Sequence, residues 1–517
     1  MYTLSKSEDQ QVKMSMVVIL VVYALFLLWV PFLPFIDLPN HLAEATIYKF
    51  YNEPGNVLSQ YYQPTPWYYP NTFHTVFCSL FPSVEVGNKI FHILYIALLL
   101  YSIYLVIKQL GGNVWYGLLS VLFIFNYNVT YGFVGFAISI PVIIILFYFT
   151  LRDIDEDKLS LKISIAFLLV LLFLMHAQNA LFAMVIYGVL MLYKYFKKPS
   201  KLLIHAALIP LPMVALILTW WFKRTSETKE ESTIDFLFNY YTTQYFPKLH
   251  GRIRLITLDN FQLQEGLAGL IIAILIFSCL LIPFLFFKSW RPAKEKLSDS
   301  NNLIYSLIFF LAGAGCYFIL PDGLPGQSPL FQRFCTIVIL SAIILGSLFL
   351  NKVTLKGLRI FILTAISIYS VLWFEYIYSF NQTAKDISPD FFEGIDNKNR
   401  LAGLIYENSF RGRRAYLHFP NYYIVWNQGI AASKIIDYRF GVVRRAANET
   451  TIPFYYEYIG EPWGATPVPQ YSHLEYVLVR GQGPVQRDVN LNNFELTKEQ
   501  GSWKLYRNKG EKHVLIE

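Results

Sequence analysis

The sequence predicts a polytopic α-helical membrane protein of about eleven transmembrane helices with a small C-terminal α/β domain outside the membrane. Three observations predict this. Hydrophobic residues make up 55% of the 517 and mean hydropathy is +0.40, while charged residues are 15%, against roughly a quarter in soluble domains. Apolar runs close to the ~20 residues that cross a bilayer recur along the first three quarters of the chain. After Asn381 the long runs stop and the composition turns polar. The boundary is therefore set at 1–380 for the membrane part and 381–517 for the outer domain.

The first run, 14–35, is too long for a signal h-region and lacks a small-residue cleavage site, so it reads as a retained anchor. A loop and a short apolar piece, 72–82, precede the second span, 89–108. Gly111-Gly112 turns the chain into spans expected at 114–127 and 132–151, joined by the tight Asn126–Gly132 link. Spans at 160–176 and 179–196 meet at His176-Ala177-Gln178-Asn179. The remaining spans are expected at 202–222, 263–287, 303–320, 334–351 and 357–379, with a long polar loop over 223–262.

Orientation follows from the basic residues. With the N-terminus cytoplasmic, Lys108, Arg152, the Lys194–Lys201 cluster, Lys288–Lys296 and Lys352–Arg359 all fall inside. Asp37, His176, the 223–262 loop, the Pro321–Arg333 loop and the C-terminal domain then lie outside. The net charge of +8 comes from lysines and arginines flanking apolar runs, which gives no sign of nucleic acid. The expected setting is the inner or plasma membrane. Cys78, Cys279, Cys316 and Cys335 lie in or beside apolar runs with no C-x-x-C pair, and read as small buried hydrophobes. In the C-terminal domain, Arg414–Phe419, Tyr422–Trp426, Tyr476–Arg480 and Trp503–Arg507 read as strands. Arg400–Asn408 reads as a short helix.

Directly after the first span, Asp37, His41 and Glu44 stand at i, i+4 and i+7, one face if the stretch is helical. An acid, an imidazole and a second acid would then meet at the mouth of a span. The same residues also suit a plain reading, with Asp37 as an N-cap ahead of Pro39 and the other two on a solvated face. Carboxylate and imidazole together are also ligands for a divalent cation such as Mn²⁺. In the following loop, Trp67, Tyr68 and Asn71 offer aromatic faces and an amide to a sugar ring, or form an interfacial belt. Arg252, Arg254 and Arg333 carry forks that bind phosphate bidentately, or snorkel to the headgroups. His176, Gln178 and Asn179 sit at a hairpin tip and read first as a solvated loop. Asn128, Asn381 and Asn448 match N-x-[ST]. Walker A, G-x-S-x-G and H-E-x-x-H motifs are absent, as is a pair of broken symmetric helices.

The order of first span, Ile36-Asp37-Leu38-Pro39-Asn40-His41, and interrupted piece Asn71–Asn88 leading into span two resembles the GT-C fold of integral-membrane glycosyltransferases. The branch is that of protein O-mannosyltransferases and the lipid A aminoarabinose transferase. The resemblance covers roughly 14–350 by architecture, and only Asp37 and its neighbours match a motif. It implies that Asp37 is the catalytic base, that the donor is a sugar on a polyprenyl phosphate, and that outer-loop basic residues hold the phosphate. Asp37-Leu38 departs from the Asp-Glu dipeptide of some members, which leaves Glu44's role as a second acid open. The expectation is a sugar transfer from a polyprenyl-phosphate donor to a lipid, glycan or protein acceptor at the outer face, with membrane lipids around it. The alternatives are a flippase for lipid-linked sugars and a non-enzymatic scaffold.

Overall fold

The computed structural model describes residues 6–197, 206–225, 237–257, 267–285, 297–323, 328–350, 356–431, 441–446, 474–482 and 494–510. Parts of three expected spans (202–205, 263–266 with 286–287, and 351) and the acceptor pattern at Asn448 lie outside the described residues. In chain order the helices are α1 (Lys6–Trp29), α2 (Leu38–Phe50), α3 (Leu58–Tyr61), α4 (Phe73–Ser79), α5 (Val84–Leu110), α6 (Val114–Gly117), α7 (Tyr127–Tyr131), α8 (Val134–Glu156), α9 (Leu159–Met175) and α10 (Ala177–Lys197). They continue as α11 (Leu211–Thr225), α12 (Tyr245–Thr257), α13 (Leu267–Leu285), α14 (Leu297–Ile319), α15 (Cys335–Phe349), α16 (Lys356–Ala384) and α17 (Tyr422–Asn427).

Among the described residues, eight helices are long and apolar enough to cross a bilayer, and Leu159–Met175 and Gly269–Pro283 are shorter apolar helices. The chain is an integral membrane protein. On α1, Val17, Val18, Val21, Val22 and Leu25 stay exposed, as expected of side chains solvated by lipid tails rather than water. The stretch expected as a span at 114–127 is not one. It forms α6 and then a 3-10 turn, Leu118–Phe123, and all these residues are buried. Fourteen helical residues reach only about 21 Å, short of the ~30 Å hydrocarbon core, and irregular backbone at that depth must be wrapped in protein. All four cysteines are free, with Cys78, Cys279 and Cys335 buried.

The molecule divides into two compact units. The first holds Met1–Leu27, Tyr68–Phe73 and His92–Phe374, and is helical. At one end of it, Asp9 joins α1 to α5 through Lys108 Nζ at 3.0 Å and the Tyr104 hydroxyl, and Arg359 of α16 pairs with Glu8. The close approach of α8 to the end of α9 depends on Gly135, where a Cβ would stand 2.5 Å from the Met175 carbonyl oxygen.

The second unit holds Leu28–Trp67, His74–Phe91 and Glu375–Glu517. The loop after α1 and the C-terminal segment thus belong to one body. A short ribbon pairs β1 (Tyr62–Pro64) with β4 (Val443–Arg445) antiparallel. The main sheet has the order β3-β2-β5-β7-β6, with β2 (Arg400–Ile405), β3 (Ile430–Ala431), β5 (Tyr476–Arg480), β6 (Phe494–Gln500) and β7 (Trp503–Asn508). β2 runs parallel to β3 and β5, and β7 is antiparallel to β5 and β6. The strands expected at 476–480 and 503–507 are present, but three local expectations are corrected. Arg400–Ile405 is a strand, not a helix, because it lies between two parallel partners and is buried on both faces, which removes the alternation that marks exposed strands. Tyr422–Asn427 is a helix, not a strand, entered through the 3-10 turn Phe419–Asn421 and closed by Gln428 in the left-handed region. Arg414–Phe419 is turn rather than strand. That turn is pressed onto β2 at Gly403, where a Cβ would lie 2.1 Å from Pro420 Cγ.

Candidate functional site

The stretch after α1 is held open rather than coiled. Asn381 of α16 reads the Phe32 backbone from both sides, its Oδ1 accepting from the amide at 2.8 Å and its Nδ2 donating to the carbonyl at 3.0 Å. The Phe32 ring packs against Phe419, Tyr422 and Trp426. Pro39 sits in the first turn of α2, where a missing N–H loses nothing. Asp37 occupies the cap position, yet its side chain makes no cap hydrogen bond and its backbone is αR. The carboxylate turns instead to His418, whose Nε2 lies 3.3 Å from Asp37 Oδ1. One turn on, the Asn421 amide donates to Asn40 Oδ1. Both pairs are thus spaced by three residues on each side, 37 and 40 against 418 and 421.

The expected meeting of Asp37, His41 and Glu44 resolves into two pairs. His41 Nδ1 stands 3.0 Å from Glu44 Oε2, and Asp37 pairs with His418. Glu44 is 1% exposed, so the solvated-face reading is corrected. α2 is buried nearly all round, and a carboxylate in that position requires a hydrogen-bonding partner, which His41 supplies. The His41 ring meets the edge of His74, which in turn bonds Asn88 Oδ1 through Nε2 at 3.1 Å. Among the described residues, no group of three or more His, Cys, Asp or Glu side chains converges as a metal site.

A second cluster lies in the helical unit. The Asn126–Gly132 link is a small capped helix. Asn126 Oδ1 accepts from the Asn128 amide, and Gly132 closes α7 at φ +95°. Asn128 then donates to the Arg333 carbonyl at 2.9 Å. Arg333 stacks 4.1 Å above the Phe133 ring and donates to His176 Nε2 at 2.7 Å. His176 is 7% exposed and Asn179 0%, so the solvated-hairpin reading is also corrected. Gln178 donates to the Leu330 carbonyl, and Asn179 to Ser139 and the Phe136 carbonyl. Burial, and then the Arg333 charge, hold His176 well below the ordinary imidazole range. It is a neutral acceptor, and the positive charge stays on the guanidinium. The acceptor-pattern asparagines Asn128 and Asn381 are themselves buried.

Arg252 has a different place from the one expected. It is fully buried, donating to the carbonyls of Tyr317 at 2.7 Å, Phe318 at 3.3 Å and Leu320 at 2.8 Å, and to the Tyr240 hydroxyl at 2.7 Å. Its face covers Phe331 at 3.8 Å. These carbonyls close α14, whose C-terminus leaves acceptors without helical partners. The fork serves them rather than a phosphate. Arg254 is exposed on the same helix. Trp67 is exposed, Tyr68 accepts from Lys223 Nζ at 3.1 Å, and Asn71 takes a left-handed φ of +68°. His418, Asn421 and Phe133 were not singled out in the sequence. The one local hint is that both paired asparagines, Asn40 and Asn421, directly follow a proline.

The chain is thus a set of membrane helices, with a carboxylate just after the first of them, and a second unit built from the loop after α1 and the C-terminal segment. Among solved structures, the chain shares its fold with ArnT from Cupriavidus metallidurans bound to undecaprenyl phosphate, at a TM-score of 0.51 and 11% identity, over 95% of this chain and 97% of that one. No protein-family model and no curated protein matches the chain in sequence.

Proposed function

We propose that this protein is a membrane glycosyltransferase that moves a sugar from a polyprenyl-phosphate donor to an acceptor hydroxyl at the outer membrane face. The observation that carries the reading is Asp37, a part-exposed carboxylate at the head of α2 that caps no helix, in a chain with the ArnT fold. Asp37 takes the acceptor proton while the acceptor oxygen bonds to the anomeric carbon. The bond from that carbon to the phosphate oxygen breaks, and the lipid phosphate leaves with the electron pair. Anomeric configuration inverts. General-base help of this kind contributes about 10²–10⁴-fold. Within the helical unit, Arg333, stacked on Phe133 and paired with neutral His176, offers a planar two-pronged cation of the kind that binds a phosphate. The N-terminus is cytoplasmic, and the C-terminal domain, 381–517, lies outside the membrane.

The test uses purified protein in lipid, radiolabelled polyprenyl-phosphate sugars and a mixture of lipid and glycan acceptors. Label should leave the donor in the parent. In Asp37→Asn, turnover should fall by ~10² or more with donor binding intact. Donor lipid that crosses the bilayer with its sugar still attached would assign a flippase instead.

A further inference from the structure

We infer that His418 is a positioning residue for catalysis, holding one carboxylate oxygen of Asp37 so that the other is presented to the acceptor hydroxyl. This rests on the reading of Asp37 as the base, and adds to it a residue from the far end of the chain.

Four observations support it. First, Asp37 does not serve its own helix. Its backbone is αR at the cap position and its side chain bonds no amide of α2. A carboxylate so placed has no local restraint on its rotation. Second, the restraint comes from His418, whose Nε2 is 3.3 Å from Oδ1 and whose side chain is nearly buried, while that of Asp37 keeps 16% of its surface. A buried ring has few rotamers open to it, so it fixes its partner more firmly than a solvated one. Third, the contact is registered rather than casual. The Asn421–Asn40 bond repeats it three residues on, and both asparagines are buried. Fourth, the turn that carries His418 is fixed from behind. Pro420 presses on Gly403 of β2, and Phe419 stacks on Trp503 of β7. The sheet of the second unit is thereby the base plate for the carboxylate.

The chemistry needs no new step. His418 donates an N–H to Oδ1, and the proton from the acceptor goes to Oδ2. With the ring removed, the carboxylate swings, and a misplacement of ~1 Å costs about 10²-fold.

The experiment compares His418→Leu and His418→Gln, each alone and combined with Asp37→Asn, reading kcat and, separately, affinity for polyprenyl phosphate. His418→Leu should lower kcat about 10²-fold with lipid affinity unchanged. His418→Gln, which keeps an N–H at the same reach, should recover most of the loss. In the Asp37→Asn background, His418→Leu should bring little further loss, since the residues act as a unit. A folded His418→Leu with parental kcat overturns the proposal, and so do losses that multiply in the double variant. An Asp37→Asn protein with parental kcat overturns the base assignment instead, whatever the His418 variants do.

Discussion

Replacing Arg252 with methionine should unfold the helical unit more easily while sparing the donor site. The substitution keeps an unbranched stem in the space beside Phe331 and removes the fork. Three short bonds are lost, to the Tyr317 and Leu320 carbonyls and to the Tyr240 hydroxyl. A side-chain bond in a membrane protein averages ~0.6 kcal/mol, and a charged bond in a dry interior is worth at least ~1.5 kcal/mol. Those two scales set the loss between about 2 and 5 kcal/mol. The upper end is favoured by the complete burial of the guanidinium, because the orphaned carbonyls at the end of α14 gain no water in exchange. The assay is a thermal melt in detergent, followed by lipid-phosphate binding well below the melting midpoint. A clearly lower midpoint with near-parental binding is expected. An unchanged midpoint with binding abolished would refute the reasoning and make Arg252 a ligand contact after all.

Arg333→Lys should weaken polyprenyl-phosphate binding less than Arg333→Ala, since lysine keeps the charge and loses the fork and the Phe133 stack. Parental binding by both, measured by titration of the lipid, would leave Arg333 as an interface anchor. His176 makes stability depend on pH. Its folded pKa is depressed, so the unfolded chain takes up a proton that the folded chain refuses. Its stabilising effect is complete above the ordinary value of about 6.5 and is lost as pH falls below it. Melts from pH 8 to pH 5.5 should show a steeper acid decline in the parent than in His176→Gln, and parallel curves would remove the assignment. Cysteine labelling from the outer side should reach positions replaced at Asn52 and Glu499 but not Asp155. Labelling of Asp155 would reverse the orientation.

The membrane class was legible because it rests on bulk quantities that tertiary contacts do not alter. The helix after Asp37 was legible too, since a proline in the first turn and the i, i+4, i+7 spacing are local signals. What escaped the sequence depends on partners far along the chain. Nothing near Arg252 reveals that the carbonyls ending α14 lack donors, so its charge reads as a phosphate site. Nothing near His176 reveals Arg333 as its partner. β2 lost its strand signature because it is covered on both faces, and Tyr422–Trp426 reads as a strand from its aromatic and branched residues, whereas the 3-10 turn before it and the left-handed Gln428 after it close a short helix there. His418 has no sequence signal at all. Its meaning comes from Asp37.

The pairing of residues 37–40 with 418–421 also sets an order of events during biosynthesis. Asn40 and Asn421 are 381 positions apart, a delay of about 20 to 80 s at the usual rate of ~5–20 residues per second. Throughout that interval α2 has early partners such as His74 and the Phe81 and Pro82 carbonyls, but its buried face, with Leu42, Ala43, Glu44 and Ile47, lacks the cover of the 419–427 segment. A nascent chain released before residue 418 would carry every helix of the bundle yet never seat that face. Quality control acting on this protein therefore meets its vulnerable surface at the first loop, long after that loop was made, and premature stop codons late in the reading frame should be as damaging as early ones.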